Sequence, residues 1–161
     1  MRKILELVAL IALSANVWIT YRALSGPQPL PSRIPTHFDA AGNPNGWGSP
    51  SVLILLPVIS IALYLGFTIV SRFPMAFHYP VRVTEANLQR VQSLTLDMLA
   101  WMKSELSWMF CALQYWMIAA ARSGEGKLPA LLVPGFLVLI LGTIGVYLVV
   151  VISQAARGDL R

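Results

Sequence analysis

Residues 33–49 read RIPTHFDAAGNPNGWGS and separate two long apolar runs of the chain. Residues 34–39 alternate between apolar and polar side chains enough to predict a short strand or extended segment. The run of residues 43–46 is dense in turn-forming side chains, and Gly46 is predicted to supply a positive φ there. The stretch is too short to build a core of its own. We therefore expect an ordered loop that rests on the helices on either side of it.

The composition places this chain in a bilayer. Charged residues make up 12% of its 161 residues, about half of the ~25% usual in soluble proteins, and the mean hydropathy is +0.67. The net charge of +5 has a simple cause, because membrane proteins concentrate Lys and Arg on their cytoplasmic side. No basic cluster is interleaved with aromatic residues, so no nucleic-acid partner is predicted. The single cysteine, Cys111, excludes an intramolecular disulfide and a Cys-based metal site.

The apolar runs predict an all-α membrane protein, one domain over residues 1–161, with four transmembrane helices. Ser49 and Pro50 form a typical helix start, with serine as the cap and proline in the first turn. The third span has only a short uncharged run and requires Lys103 to extend toward the headgroups. The predicted segments are helices at 4–23, 50–71, 98–121 and 128–152, an outer loop at 22–50 and an inner amphipathic helix at 84–103.

The distribution of Lys and Arg predicts that both termini are cytoplasmic and that the loop at 22–50 lies outside the inner (plasma) membrane. The N-terminal run lacks a good small-residue cleavage site, so we expect it to be retained as an anchor. The predicted inner side holds Arg2, Lys3, Arg72, Arg82, Arg90, Lys103, Arg157 and Arg161. The predicted outer side holds Arg22, Arg33, Arg122 and Lys127.

The outer loop holds the candidate recognition residues. His37 and Asp39 share one face of an extended backbone, which suggests a metal or a proton-sensitive pair. Two ligands fall short of a closed site, so the preferred interpretation is that both side chains bond to the loop backbone and make it rigid. Trp47, between two glycines, is interpreted as an interfacial anchor, with stacking on a ligand as the alternative. The binding candidates are His37, Phe38, Asp39, Asn45, Gly46, Trp47 and Gly48.

Several residues within the apolar runs are candidates for helix packing. Small residues let helices approach closely, and buried amides bond between helices. These candidates are Asn16, Ala62, Gly66, Gln114, Gly142 and Gly145. By contrast, Asp97, Lys103 and Glu105 are expected at the cytoplasmic interface, where charged side chains are ordinary.

The segment 34–49 resembles a bacterial and archaeal membrane domain without an assigned function. Its hallmark is Ile-Pro-x-His-Phe/Trp, followed by Gly-x-x-Asp/Asn-Gly-Trp/Tyr-Gly-Ser, between two transmembrane helices. The resemblance covers about residues 5–70. Two later segments, at 77–87 and 101–106, are similar to the stand-alone, four-helix members of this domain family. The domain also occurs in immunity proteins that protect sporulating bacilli from their own sporulation-delaying toxin. Resemblance to these immunity proteins implies toxin resistance and sequestration of a transcriptional repressor. The immunity proteins are longer and carry additional C-terminal helices.

The sequence thus predicts a non-enzymatic membrane protein, because no nucleophile–base pair, phosphate loop or redox motif is present and no cofactor is indicated. The leading hypothesis is sensing, immunity or partner sequestration through the outer loop. The alternatives are a small accessory subunit of a larger membrane complex and, third, an oligomeric transporter. The expected partners are the lipid bilayer and a membrane protein or further copies of the chain.

Overall fold

The computed structural model describes residues 1–124 and 126–159, and within them the chain is mostly helical. The predicted inner-side residue Arg161 lies outside the described residues. The elements are α1 (Arg2–Ser25), β1 (Ile34–Phe38), β2 (Pro44–Gly48), a 3-10 helix (Pro50–Ile54), α2 (Leu55–Val70), a second 3-10 helix (Pro74–Ala76), α3 (Leu88–Ser123) and α4 (Leu132–Asp159).

Three helical segments are long and apolar enough to cross a membrane: Arg2–Ser25, Pro50–Val70 and Leu132–Arg157. They make this a membrane protein. The second begins where the sequence predicted, because the Ser49 hydroxyl accepts the backbone N–H of Ser51 and Pro50 follows in the first turn. α3 is longer, at about 54 Å, but its first half carries charges. A fourth span therefore depends on α3 and stays a prediction.

α3 is one continuous helix of 36 residues. It comprises most of the predicted inner amphipathic helix at 84–103 and the whole predicted third span at 98–121. No Gly or Pro interrupts it between Leu88 and Ser123, so nothing in the chain separates a surface part from a membrane part. The helix starts later than expected, because residues 84–87 form a turn in which the Asn87 side chain accepts the backbone N–H of Thr84 at 2.8 Å.

The other three helices pack on α3. α1 runs parallel to it, since Arg2 contacts Asp97 at one end and Gln114 reaches Thr20 near the other. α2 runs antiparallel, because the carbonyl of Leu53, just before it, accepts from Gln114. α4 also runs antiparallel, since Thr143 contacts Glu105 and the later Tyr147 contacts the earlier Thr95. The N-terminus and the end of α4 therefore lie at one end of the bundle, which we call the terminal end. The hairpin lies at the opposite end.

The loop contains a two-stranded antiparallel sheet, so the all-α prediction is wrong in this respect. Ile34 pairs with Gly48 and Phe38 with Pro44, with irregularities on either side of His37. The turn lies between the strands, where Gly42, and not Gly46, adopts a positive φ of 80°. Gly46 is needed for another reason, because a Cβ there would lie 2.9 Å from the Cβ of His37.

The hairpin is fixed to the connection between α3 and α4. The backbone N–H of Leu128 donates to the carbonyl of Gly42 at 2.9 Å. A Cβ at Gly42 would lie 2.2 Å from the carbonyl oxygen of Leu128. At the base of the hairpin, Ile34 is fully buried in a cluster of apolar side chains from α1, α3 and the 3-10 helix. The cluster consists of Ala23, Ile34, Leu53, Ile118 and Ala121.

Substitution of Gly42 by Ala should lower the free energy of unfolding by at least about 1–2 kcal/mol, because a positive φ alone costs an L-residue that amount and the methyl group also meets Leu128. The matched control is Gly142→Ala on α4, where a Cβ has no neighbour within 4 Å. That change should stabilise the protein by about 0.5–1 kcal/mol. Thermal unfolding in detergent measures both, and equal effects would contradict the close contact of Gly42 with Leu128.

Candidate functional site

Asp39 holds the turn of the hairpin. Its Oδ1 accepts the backbone N–H groups of Ala41 at 2.9 Å and Asn43 at 2.8 Å, and its Oδ2 accepts the side-chain amide of Asn43 at 3.1 Å. The side-chain amide of Asn43, these backbone amides and the charge of Lys127 hold the pKa of Asp39 below its usual range. Its carboxylate is therefore ionised and occupied by the turn.

His37 makes a different contact from the one expected. Its Nδ1 bonds to the side-chain oxygen of Asn45 on the opposite strand, and no hydrogen bond joins it to Asp39 among the described residues. Asn45 is the extra residue of an irregularity in β2, between the partners of His37 and Phe38. Both side chains are exposed. The hairpin thus presents an imidazole and an amide side by side to its surroundings.

Trp47 is 49% exposed and lies at the end of the bundle opposite the terminal end. Its neighbour Gly48 allows close packing, because a Cβ there would be 3.1 Å from a methyl carbon of Thr36. The indole also borders Gly126, whose backbone has a φ of 65° and lies among the rings of Pro35, Pro44 and Trp47. One edge of the indole therefore packs on the α3–α4 connection, while much of the ring remains free.

A groove of about 460 Å³ lies beside the hairpin and is called the outer groove. Its polar wall is the hairpin, with Phe38 half-buried in it. Its apolar wall comes from the starts of α2 and α4 and from the end of α3. The apolar side chains are Leu56, Leu113, Met117, Val133 and Pro134. A groove of this size can hold a small amphipathic group.

A second set of polar side chains lies between the helices toward the terminal end. The Nζ of Lys103 is 2.5 Å from Glu6 Oε2 and donates to the hydroxyl of Thr68 at 3.1 Å. The hydroxyl of Tyr64 donates to Glu6 Oε1 at 2.5 Å. The Lys103 side chain is only 7% exposed, because α1 and α2 cover it and match its charge inside the bundle. Its level relative to the headgroups stays a prediction.

Glu105 is also buried, and its expected interfacial position stays a prediction. It faces α4, where the hydroxyl of Thr143 donates to its Oε1 at 2.5 Å. Its Oε2 has no hydrogen-bond partner among the described residues. The sequence gives no signal for this, because nothing in it shows which face of α3 is covered by which helix.

Asn16 and Gln114 are completely buried between α1, α2 and α3. Gln114 donates to Thr20 at 2.7 Å and to the carbonyl of Leu53 at 3.1 Å, rather than to Asn16. Both polar atoms of Asn16, the hydroxyl of Ser60 and the carbonyl oxygen of Gln114 lack partners among the described residues. The two amides thus occupy the helix interface, but no hydrogen bond joins them to each other among the described residues.

The small residues proposed for helix packing lie on open surfaces. A Cβ at Gly66, Gly142 or Gly145 would have no neighbour within 4 Å. Ala62 is exposed on the same helix as Gly66. These residues make no close helix contact within the described part of the chain. Their role in contacts between chains stays a prediction.

Residues 7–61 match the model of a family described as a domain of unknown function, DUF1648. This region comprises most of α1, the hairpin and the beginning of α2. An uncharacterized protein of Archaeoglobus fulgidus is 28% identical over 135 residues, which cover 75% of this chain and 70% of that protein. No solved structure matches the chain. The chain is therefore similar to sequences to which no activity is assigned.

Replacement of Lys103 by Met should destabilise the bundle, because it leaves the carboxylate of Glu6 without its cation. We expect a loss of roughly 1–3 kcal/mol, below the 3–5 kcal/mol of a fully buried pair because Glu6 is partly exposed. The double variant Glu6→Gln/Lys103→Met should recover much of the loss. The control, Arg2→Met, removes an exposed partner of Asp97 and should cost about 1 kcal/mol or less. Reversible unfolding in mixed micelles measures all three, and equal costs for the two single variants would contradict the buried pairing.

Proposed function

We propose that this chain is a four-span membrane protein that recognises a partner through its outer hairpin. The carrying observation is that His37, Asn45 and Trp47 are exposed together on a hairpin that is held rigid. Asp39 orders the turn, and Leu128 bonds to it from the α3–α4 connection. A rigid surface loses little conformational entropy on binding, which favours recognition.

The fourth span in this proposal is the second half of α3. From Lys103 to Ser123 the helix rises about 30 Å, which matches the hydrocarbon thickness of a bilayer. The two charges at its inner boundary are covered, Lys103 by Glu6 and Glu105 by Thr143. The excess of Lys and Arg at the terminal end favours a cytoplasmic position for both termini. The hairpin then faces outward.

Cysteine labelling tests this topology. Ala40, Ala86 and Ala130 are exposed residues in the hairpin, the α2–α3 connection and the α3–α4 connection. In a Cys111→Ala background, a membrane-impermeant maleimide added to intact cells should label cysteines at 40 and 130 but not at 86. If α3 does not cross the membrane, only the cysteine at 40 should react. Labelling at 86 alone would reverse the orientation.

The partner proposed for the hairpin is a protein or peptide at the outer membrane surface. The exposed imidazole and amide provide hydrogen bonding, Trp47 provides an aromatic anchor, and the outer groove accepts an apolar side chain. The resemblance of residues 34–49 to the loop of toxin-immunity proteins supports a role in sensing or immunity. In this role the protein binds its partner and catalyses no reaction.

A second candidate function is that of an accessory subunit in a larger membrane complex. It is favoured by α4, because only 6% of the apolar stretch with which this helix could cross a membrane is buried within the chain. The open surfaces at Gly66 and Gly142 would admit a neighbouring helix closely. In this case the hairpin would serve mainly to hold the helix ends.

Site-specific photo-crosslinking in native membranes separates the two functions. A photoreactive residue replaces Trp47 in one variant and Val149, an exposed residue of α4, in another. We expect a discrete adduct from position 47 that His37→Ala and Asn45→Ala each reduce several-fold. The control, Ser32→Ala, alters an exposed residue before the hairpin and should leave the adduct unchanged. Adducts from position 149 alone would support the accessory subunit and overturn recognition by the hairpin.

A further inference from the structure

A second groove, of about 660 Å³, lies between α3 and α4 on the lipid-facing side of the bundle and is called the inner groove. Its volume falls within the range of small-molecule sites. Most of its lining is aliphatic, with Leu94 and Met98 on α3 facing Val138 and Val146 on α4. It is separate from the hairpin and from the outer groove.

The polar groups of the inner groove are acidic. Asp97 and Glu105 both line it, and its described lining residues include no Lys or Arg. Asp97 already has a cationic partner, because Arg2 contacts it at 2.7 Å. Glu105 has none. Lys103, two residues away, points to another side of α3, since residues two apart on a helix differ by about 200° in direction, and there it pairs with Glu6.

Glu105 is 7% exposed, and its Oε2 lacks a partner among the described residues. A buried carboxylate without a cation is costly next to lipid, and such residues typically mark binding or transport sites. Thr143 satisfies only one of its two oxygens. The groove is therefore lined by a buried carboxyl group whose second oxygen has an open hydrogen-bonding position, which suits a cationic ligand.

Aromatic and small residues complete the inner groove. Trp101 lies one helical turn before Glu105 and is 43% exposed, so its ring is available to a cation. Tyr147 lines the wall on α4. Gly142 leaves space there, since a Cβ would have no neighbour within 4 Å. A carboxylate, an indole and aliphatic walls together match an apolar molecule with one positive charge.

We propose that the inner groove binds a hydrophobic cation, with its charge at Glu105 and Trp101 and its apolar body between α3 and α4. The ligand enters from the bilayer, because the groove faces lipid. Asp97 contributes less than Glu105 because Arg2 already neutralises it. A phospholipid acyl chain is the competing occupant, and it requires no carboxylate.

The test uses the full-length protein in phosphatidylcholine nanodiscs and tetraphenylphosphonium as the probe. Equilibrium dialysis should show saturable binding, which Glu105→Gln weakens at least tenfold. Gly142→Leu should abolish binding by filling the groove without changing any charge. The matched control, Glu85→Gln, removes an exposed carboxylate before α3 and should bind as the wild type does.

The neutral compound triphenylphosphine oxide separates charge recognition from simple apolar partitioning. It should not displace the bound cation. The proposal is overturned if Glu105→Gln binds the cation as tightly as the wild type, or if the neutral compound competes equally. If Glu105→Gln does not fold, Gly142→Leu decides, because unchanged binding in that variant excludes the inner groove.

Discussion

The ion pair between Lys103 and Glu6 is the contact on which the arrangement of the bundle depends. A charge placed among apolar helices must be matched inside the protein, because lipid offers no hydrogen-bonding partner. Lys103 meets this requirement by pairing with Glu6 of α1 and donating to Thr68 of α2. Tyr64 of α2 donates to the same Glu6, so α1 and α2 both contact α3 at this position. α3 can therefore carry polar residues on its covered faces. It is the helix on which the others pack because it is the least apolar of them.

The opposite end of the bundle is organised by backbone contacts rather than by charge. The hairpin and the α3–α4 connection meet where Gly42 faces Leu128, and again where Gly126 lies among the rings of Pro35, Pro44 and Trp47. Glycine is required at both contacts, since each has a positive φ and a close neighbour. These contacts keep the hairpin against the helices, so its exposed side chains have a fixed position at this end of the bundle.

The two proposed binding regions differ in the medium from which their ligands would arrive. The hairpin is polar, rigid and exposed, which suits a partner that arrives from water. The inner groove is apolar and acidic and opens to lipid, which suits a ligand that arrives from the bilayer. They share α3, because Leu113 and Met117 line the outer groove while Trp101 and Glu105 line the inner one. One continuous helix therefore runs between the two grooves.

The sequence by itself determined the membrane class, three apolar spans, the start of the second span at Ser49-Pro50 and an extended segment near residue 34. These features follow from composition and local patterns, which act within a few residues. It missed the pairing of the two strands, the positive φ of Gly42 and the burial of Lys103 and Glu105. Only the tertiary structure decided these, because each depends on a partner far along the chain: Leu128 for Gly42, Glu6 for Lys103 and Thr143 for Glu105. The charge of a residue can be read from the sequence, but the helix that covers it cannot.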